Sequence, residues 1–313
     1  MREDLKGSNL LKLSDLNPDQ LDELLDRAVQ VKSAIAQDRL TPTLSGKHIG
    51  IIMQKPSLRT RVSFEVACGK LGAQPIILEG DANAFSRGES IHDTVSTLSR
   101  YLDALVIRTY DDEFLAQVAE HATIPVINAL TDGYHPCQGL ADLLTIREHF
   151  GKLEGLVLAY LGDGSNNMAH TYLEAGALAG MDVRIAAPLG YHPDPSVLAN
   201  AESIAADTGA TITVMSDPDQ AVKDAQIVIT DTWASMGKED EHDRRLAILE
   251  PFQVNAELMA HAADDAIFMH CLPAHRGEEV TDEVIDSSAS QVFDEAENRL
   301  HVQAALLQAV LGT

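Results

Sequence analysis

The pattern that decides the fold is clearest in residues 49–71, which read IGIIMQKPSLRTRVSFEVACGKL. The short apolar run at 49–53 is typical of a buried β-strand, and the apolar positions from Phe64 to Leu71 recur at i, i+3, i+4 and i+7, the spacing of a helix face. A polar stretch joins the two. The segment therefore predicts a strand, a loop and a helix in succession, which is the repeating unit of a helix-covered parallel sheet.

Short β-branched runs of the same kind recur along the chain, and helical patterns separate them. The runs lie at residues 49–53, 75–78, 104–109, 126–129, 156–161, 183–187, 211–215, 227–230 and 267–270. Such alternation is typical of parallel sheets covered by helices on both faces. The sequence therefore predicts an α/β fold with two doubly wound domains, each a parallel sheet flanked by helices.

The chain of 313 residues is long enough for two domains of about 150 residues, each with its own core. A helical pattern at 135–150 ends at Gly151, where the strand pattern restarts, so this helix is predicted to join the domains. The last helical stretch has an apolar face and is predicted to return to the first domain. We therefore expect one domain at 1–134, completed by 296–313, and a second at 135–295.

The composition is strongly acidic, with 48 Asp and Glu against 23 Lys and Arg and a formal net charge of −25. Such a surface repels nucleic acid and anionic membranes, so neither is expected as a partner. Any local cluster of positive charge is correspondingly informative. Because the N-terminus is charged and no window approaches the ~20 apolar residues of a membrane span, a cytoplasmic protein is expected.

The three cysteines, Cys68, Cys137 and Cys271, are far apart in the sequence. None belongs to a CxxC pair or to a Cys and His arrangement with metal-ligand spacing. Neither a disulfide framework nor a metal site is expected, so each thiol has to be judged by its neighbours.

Polar clusters follow the predicted strands, at the edge where parallel sheets bind ligands. The first cluster is Lys55-Pro56-Ser57-Leu58-Arg59-Thr60-Arg61, which leads into a predicted helix. Ser57 can cap this helix, whose free N–H groups and dipole favour an anion, and the arginines and Thr60 add donors. The pattern favours a phosphate site without a glycine-rich loop. An ordinary capped helix with solvated arginines is the alternative.

Two further clusters of the first predicted domain carry polar side chains at strand ends. Arg108 ends the apolar run 104–107, where a charge needs a partner such as an anionic ligand or a structural salt bridge. His135 and Gln138 open the predicted joining helix, where they can donate to a carbonyl oxygen and to an amide-like group. A helix-capping turn is the alternative for this cluster.

Three clusters follow strands of the second predicted domain. They are Asp163-Gly164-Ser165-Asn166-Asn167, Asp231-Thr232-Trp233-Ala234-Ser235-Met236-Gly237 and His270-Cys271-Leu272-Pro273-Ala274-His275-Arg276-Gly277. Asn167 stands where a dinucleotide fingerprint needs its third glycine, so nicotinamide chemistry is disfavoured. His270 is interpreted as a packed strand residue and Cys271 as a functional candidate. A nucleophile pair of Cys271 with His275 or His135 is an alternative that no local signature supports.

Taken together, the clusters resemble the motifs of the aspartate/ornithine carbamoyltransferase family, in one order and over nearly the whole chain. The family's S-T-R-T-R, second and third signatures correspond to residues 57–61, His135-Pro136-Cys137-Gln138 and His270-Cys271-Leu272-Pro273. The Asn-Asn pair at 166–167 and a D-x-x-x-S-M-G loop beginning at Asp231 resemble the ornithine-specific branch. The C-terminal Glu297-Asn298-Arg299 also matches, and in the family this arginine reaches back into the carbamoyl phosphate site.

The resemblance implies that the first domain binds carbamoyl phosphate, that the second binds L-ornithine, and that carbamoyl transfer to ornithine is the reaction. The implied carbamoyl phosphate ligands are Ser57, Leu58, Arg59, Thr60, Arg108, His135, Gln138, Cys271, Leu272 and Arg299. Arg108, His135 and Cys271 are the implied catalytic residues. The implied ornithine ligands are Asn167, Asp231, Ser235 and Met236.

The resemblance further implies a direct attack of the amine without metal or cofactor, and a homotrimer or a multiple of trimers. Two positions depart from the family. Leu58 replaces a threonine that contributes mainly its backbone N–H, and Ala84 stands where a Gln or His commonly crosses to a neighbouring subunit's phosphate. That contact is expected to be missing or to come from Ser86 or Arg87.

Three other functions are carried as alternatives: a carbamoyltransferase for a different amine, a non-catalytic paralogue that binds carbamoyl phosphate or ornithine as a regulator, and a nicotinamide oxidoreductase. The S-M-G loop argues against the first and the intact polar clusters against the second. The sequence leaves open whether the reaction serves arginine synthesis or arginine breakdown.

Overall fold

A computed structural model describes residues 5–79, 88–233 and 242–312. The chain divides into two compact units, Met1–Leu144 with Glu297–Thr313, and Thr145–Ala296. The division falls inside a helix, whereas the boundary expected from the sequence lies at the start of that helix. Within the described residues, no helix combines the length and the apolar character needed to cross a membrane.

The first unit contains a four-stranded parallel sheet in the order β2-β1-β3-β4. Its strands are β1 (His48–Met53), β2 (Gln74–Glu79), β3 (Ala104–Arg108) and β4 (Val126–Leu130). The helices before and between them are α1 (Pro18–Ala36), α2 (Leu58–Leu71), α3 (Ile91–Leu98) and α4 (Asp112–His121), and α5 (Pro136–Phe150) follows. Every residue of β3 and β4 is buried. β3 is an inner strand covered on both faces, and the edge strand β4 is covered along its outer side by Leu10, which forms a bridge with Ile127.

The second unit contains a five-stranded parallel sheet in the order β7-β6-β5-β8-β9. Its strands are β5 (Val157–Leu161), β6 (Asp182–Ala186), β7 (Thr211–Met215), β8 (Ile227–Thr230) and β9 (Ile267–Met269). Its helices are α6 (Asn167–Leu178), α7 (Pro195–Thr208), α8 (Pro218–Val222), α9 (His242–Leu249), α10 (Ala256–Met259) and α11 (Asp282–Ile285). The last helix, α12 (Val292–Leu311), runs from this unit into the first.

Each of the nine runs predicted as strands forms a strand, and the predicted α/β class with two parallel sheets is confirmed. Helix α2 illustrates why. Ser57 caps its N-terminus by accepting a hydrogen bond from the Thr60 N–H, and Phe64 and Leu71 of the predicted apolar face are fully buried. Gly72 ends the helix with a φ of 79°, a conformation that glycine adopts without strain.

Candidate active site

Both sheets have a topological switch point, where successive strands change sides and a crevice opens at the carboxyl ends. In the first unit this point lies between β1 and β3, and in the second it lies between β5 and β8. The loop after β1 leads to Ser57, and Arg108 ends β3. In the second unit, Asn166 follows β5 and Asp231 follows β8. Four of the predicted polar clusters therefore follow the strands at the two places where such sheets bind ligands.

In the first unit, the N-terminus of α2 offers backbone donors. Leu58 is 78% exposed, so its side chain makes little contact with the fold and its N–H lies in the first helical turn. Thr60 is fully buried, and Arg61 donates from Nε to Glu65 along the helix surface at 3.0 Å. The turn combines free helix N–H groups with a buried hydroxyl, an arrangement that favours an anion.

Arg108 connects the two strands of this switch point. Its side chain is 7% exposed at the end of β3, and its carbonyl accepts hydrogen bonds from the N–H groups of Gln54 at 2.9 Å and Lys55 at 3.4 Å. The loop after β1 is thereby fixed against the end of β3.

Lys55 is a charged residue of this site that sequence reasoning placed in the first cluster but gave no role. It is 5% exposed, its Nζ lies 3.3 Å from Asp132 Oδ1, and it stands 5.0 Å from the ring centroid of Tyr110. Its position directly before Pro56-Ser57 was the available signal, but lysines in loops are usually exposed.

His135 stands in a field of positive charge. Burial lowers its pKa well below the usual range, and the charges of Arg299, Arg108, Arg59 and Lys55 lower it further. The imidazole is therefore neutral at physiological pH, and four cations act on one buried point of a strongly acidic protein. Because like charges repel one another, a concentration of four cations favours an anion at this point and indicates an anion site.

Gln138 and Arg299 join the C-terminal helix to this site. Gln138 is 1% exposed, donates to Asp142 Oδ1 at 2.8 Å and accepts from Arg299 at 2.7 Å. Another Arg299 nitrogen lies 3.3 Å from Thr60 Oγ1. The first unit therefore brings together Ser57, Leu58, Arg59, Thr60, Arg108, His135, Gln138 and Arg299 from among the predicted residues.

In the second unit, Asp231 is the centre of a small polar network. Its Oδ1 accepts from the Thr232 N–H at 2.8 Å and from the Cys271 thiol at 3.3 Å, and Asn166 Nδ2 lies 3.4 Å from Oδ2. Burial raises the pKa of this carboxyl, and the donors from Thr232 and Cys271 oppose that rise. A buried carboxylate at a switch point is suited to bind a cationic group.

The two residues of the predicted Asn pair differ in position and role. Asn166 caps α6 by accepting from the Ala169 N–H at 2.8 Å. Its side chain also donates to the Tyr160 hydroxyl at 2.8 Å, and these two contacts hold it beside Asp231. Sequence reasoning named Asn167 instead, which is the half-buried first residue of α6. The predicted ligands Ser235 and Met236 lie outside the described residues.

Arg245 is a residue that sequence reasoning missed. It is 4% exposed, donates to the Asp163 carboxylate and to the Trp233 carbonyl, and lies 5.0 Å from the ring centroid of Tyr191. It therefore fixes the chain after β8 to the loop after β5. Its position on α9, far along the sequence from Asp163, gave no local signal.

Cys271 and Leu272 lie in the second unit, at the end of β9. Cys271 is half-buried, whereas Cys68 and Cys137 are buried and burial raises the pKa of each to about 12. The Cys271 thiol donates to Asp231, and His275 Nδ1 lies 3.5 Å from Glu278 Oε2. These contacts disfavour the alternative Cys271–His275 nucleophile pair.

Two groups of described residues bring potential metal ligands within 4.8 Å of one another. They are Asp231, His270 and Cys271, and His275, Glu278 and Glu279. In the first group the Cys271 thiol donates to Asp231, and in the second His275 Nδ1 lies 3.5 Å from Glu278 Oε2.

Comparison with known proteins extends over both units. Residues 8–148 match the family described as "Aspartate/ornithine carbamoyltransferase, carbamoyl-P binding domain", and residues 154–310 match its "Asp/Orn binding domain". Proteins named ornithine carbamoyltransferase from Nostoc sp. and Pyrococcus abyssi are 52% and 49% identical, over 98% of this chain and 98% and 97% of theirs.

The chain is also similar to solved structures of proteins with the same name. Ornithine carbamoyltransferase from Pyrococcus furiosus has a TM-score of 0.96 at 48% identity, covering 99% of each chain. The enzyme from Thermus thermophilus has a TM-score of 0.85 at 39% identity, covering 97% of this chain and 98% of that chain.

Proposed function

The chain belongs to the aspartate/ornithine carbamoyltransferase family, and we therefore infer that it is a carbamoyltransferase that converts carbamoyl phosphate and L-ornithine to L-citrulline and phosphate. The observation that carries this inference is the field of four cations around the neutral His135, at the switch point of a unit whose family is described as binding carbamoyl phosphate. An acyl phosphate needs such a site, because its dianion must be held while its carbonyl is attacked.

The first unit binds carbamoyl phosphate in this proposal. Ser57, Leu58, Arg59 and Thr60 hold the phosphate through helix N–H groups, hydroxyls and the Arg59 charge. The capped start of α2 and the buried Thr60 support this assignment. The proposal extends the sequence-based division, in which residues 1–134 and 296–313 form the carbamoyl phosphate domain and 135–295 the ornithine domain.

The carbamoyl group is oriented and polarised by a second set of residues. Arg108 and His135 stabilise the oxygen that gains charge in the tetrahedral intermediate, and the neutral imidazole of His135 has one N–H with which to donate a hydrogen bond there. Gln138, Arg299 and the Leu272 carbonyl orient the carbamoyl amide. The Arg299–Gln138 hydrogen bond supports a shared role for these two side chains.

Ornithine is bound by the second unit. Asp231 pairs with the α-ammonium group. Asn167 and the backbone N–H groups at Ser235 and Met236 bind the α-carboxylate. The assignment of Ser235 and Met236 is based on the sequence resemblance alone. The buried carboxylate of Asp231 and its contact with Cys271 support the first part. Cys271 is assigned to contact the δ-amine as it approaches the carbonyl.

The reaction forms a bond between the δ-nitrogen and the carbonyl carbon and breaks the bond from that carbon to the phosphate oxygen. A δ-amine has a solution pKa near ~10.4, so the site selects the free base. The departing phosphate accepts the proton that the attacking amine loses, which requires no separate carboxylate base.

A homotrimer, or a multiple of trimers, is the proposed assembly. Leu58, Val62 and Val66 lie on successive turns of α2 and are 78%, 46% and 38% exposed, and Ile76 of the edge strand β2 is 36% exposed. Exposed apolar side chains grouped in this way mark contact surfaces. Sedimentation analysis tests this: Val62→Lys is expected to reduce the assembly, whereas Val29→Lys, an exposed valine on α1, is expected to leave it unchanged.

Citrulline formation by the purified protein tests the function. Carbamoyl phosphate is supplied with L-ornithine, putrescine or L-aspartate, beside an Arg59→Ala variant and a matched Arg27→Ala control from the surface of α1. Product from ornithine alone, lost with Arg59→Ala and kept with Arg27→Ala, is expected. Product only from another amine would favour a different carbamoyltransferase, and binding without any product would favour a regulatory paralogue.

A further inference from the structure

Side chains bind the backbone of the loop that leaves β9. Leu272 has a φ of 58°, in the left-handed region that is strained for a residue with a side chain. Its N–H donates to Nδ1 of His270 at 2.9 Å, and the N–H of His275 donates to Glu279 Oε1 at 2.6 Å. The conformation of Leu272 therefore depends on the position of the His270 ring.

The His270 ring is in turn held by Glu279. Both side chains are fully buried, and His270 Nε2 lies 3.1 Å from Glu279 Oε1. Because Nδ1 accepts from Leu272, the proton of the ring lies on Nε2 and is donated to the carboxylate. The His270 N–H also donates to Glu295 Oε2 at 2.9 Å. Glu279 thus fixes the tautomer and the orientation of the ring, and the ring fixes Leu272.

The His270–Glu279 pair has a role beyond packing. Burying a carboxylate and an imidazole is unfavourable unless they are paired, and apolar side chains of similar volume pack as well. The two residues hold polar backbone groups that apolar side chains cannot hold. These contacts lie on both sides of Pro273: the His270 ring holds the N–H of Leu272 before it, and Glu279 holds the N–H of His275 after it.

We propose that His270 and Glu279 form a positioning pair that directs the Leu272 carbonyl and the Cys271 thiol at the reacting carbamoyl group and amine. The proposal rests on the proposed function, because that function assigns these two groups to the substrates. Neither His270 nor Glu279 touches a substrate; both act through the loop at 271–275.

Two substitutions test the roles of the two ring nitrogens of His270 separately. His270→Asn keeps a hydrogen-bond acceptor at the Nδ1 position and loses the donor to Glu279, whereas His270→Gln keeps a donor near the Nε2 position and loses the acceptor for Leu272. We expect His270→Gln to lower kcat by about 100-fold, because the loop is released and reacting groups are misplaced. His270→Asn is expected to stay within about tenfold of the wild-type kcat while losing more thermal stability.

His170→Gln is the matched control. Its ring is buried in the same unit and also accepts a backbone N–H, from Asp194 at 3.2 Å, so its kcat is expected to be unchanged. A purely structural role for His270 predicts that kcat per folded enzyme is equal in the Asn and Gln variants, and that outcome would overturn the proposal. So would a larger loss of kcat in His270→Asn.

The alkylation rate of Cys271 separates failure of this proposal from failure of the proposed function. The rate is measured by mass spectrometry with iodoacetamide and without substrates. His270→Gln is expected to change it at least about fivefold, and His270→Asn to change it by less than about twofold. If the wild type forms no citrulline, the proposed function fails, and this rate still decides the positioning role: equal rates in both variants would contradict it.

Discussion

The Arg299 guanidinium donates to the Gln138 amide oxygen at 2.7 Å, although 161 positions separate the two residues. Arg299 is 3% exposed, and another of its nitrogens lies 3.3 Å from the hydroxyl of Thr60 at the start of α2. The C-terminal helix therefore completes the phosphate turn of the first unit. A site that depends on the last helix of the chain is complete only after the second unit has been synthesised.

Replacement of Arg299 tests this dependence. Arg299→Lys keeps the charge but loses the planar fork that reaches Gln138 and Thr60 together. We expect the KM for carbamoyl phosphate to rise roughly 10- to 100-fold, the range for losing a charged hydrogen bond. Steady-state kinetics at saturating ornithine measure it. Arg27→Lys, which alters a half-buried arginine on α1, is the control, and an unchanged KM for Arg299→Lys would remove Arg299 from the site.

Replacement of Asp231 tests the ornithine half of the site. Asp231→Asn keeps the shape and removes the charge, so the KM for ornithine is expected to rise by roughly 100-fold while that for carbamoyl phosphate changes little. Asp219→Asn, at an exposed carboxylate near His261, controls for the loss of one negative charge. Equal effects on the two KM values would contradict the assignment of Asp231 to ornithine.

The pH dependence of ornithine binding follows from the same residue. Because burial raises the pKa of Asp231, its carboxylate becomes protonated at a higher pH than an ordinary aspartate. Ornithine affinity is expected to fall as the pH is lowered through this raised pKa, and to fall more steeply than in Asp231→Asn, where only protonation of the δ-amine weakens binding. Calorimetric titration of ornithine into protein saturated with carbamoyl phosphate analogue measures it. Identical pH profiles for both proteins would refute this origin.

The lowered pKa of His135 predicts that the protein loses stability in acid. Its native pKa lies well below the ordinary value of about 6.5, so the unfolded chain binds a proton there at a pH where the native protein does not. The free energy of unfolding therefore decreases as the pH falls through about 6.5, with a limiting slope of ~1.4 kcal/mol per pH unit from this one group. Urea midpoints between pH 7.5 and 5.5 are expected to fall less for His135→Gln than for the wild type.

The control for that comparison is His261→Gln, at an exposed histidine whose side chain is 52% accessible. Its urea midpoints are expected to follow those of the wild type. If His135→Gln follows them as closely, the acid sensitivity has another source.

The three thiols are expected to differ in reactivity. Cys68 and Cys137 are buried with pKa values of about 12, whereas Cys271 is half-buried at the end of β9. Native protein is expected to be labelled by iodoacetamide at Cys271 alone, and ornithine with carbamoyl phosphate analogue is expected to slow the labelling. Peptide mass spectrometry identifies the modified residue. Labelling of Cys137 at a comparable rate would contradict its burial.

The fold could be predicted from sequence because its signals are local. The apolar runs that became β1 to β9 are short, β-branched and separated by helical patterns, so their identity did not depend on distant partners. The order of the strands within each sheet could not be predicted from local signals. β3 lies beside β1, and β8 beside β5, through contacts that no run of residues encodes alone. The switch points, and so the placement of the clusters, came from the structure.

The site divides in the same way. Ser57 and Arg108 were found because they interrupt local patterns at strand ends. Lys55 was given no role because a loop lysine is ordinarily exposed, and Arg245 was missed because its partner Asp163 is 82 positions away. His270 was interpreted as a packed strand residue, which is accurate for its burial but gave no indication of Glu279, a partner set by the path of the loop.

The most direct test of the account follows the atoms that the reaction joins. The purified protein is given carbamoyl phosphate labelled with ¹³C at the carbonyl and L-ornithine labelled with ¹⁵N at the δ-position, and the products are observed by NMR. The account predicts citrulline with a one-bond ¹³C–¹⁵N coupling and phosphate released in equal amount. Phosphate release without that coupling, or the coupling only with another labelled amine, would contradict it.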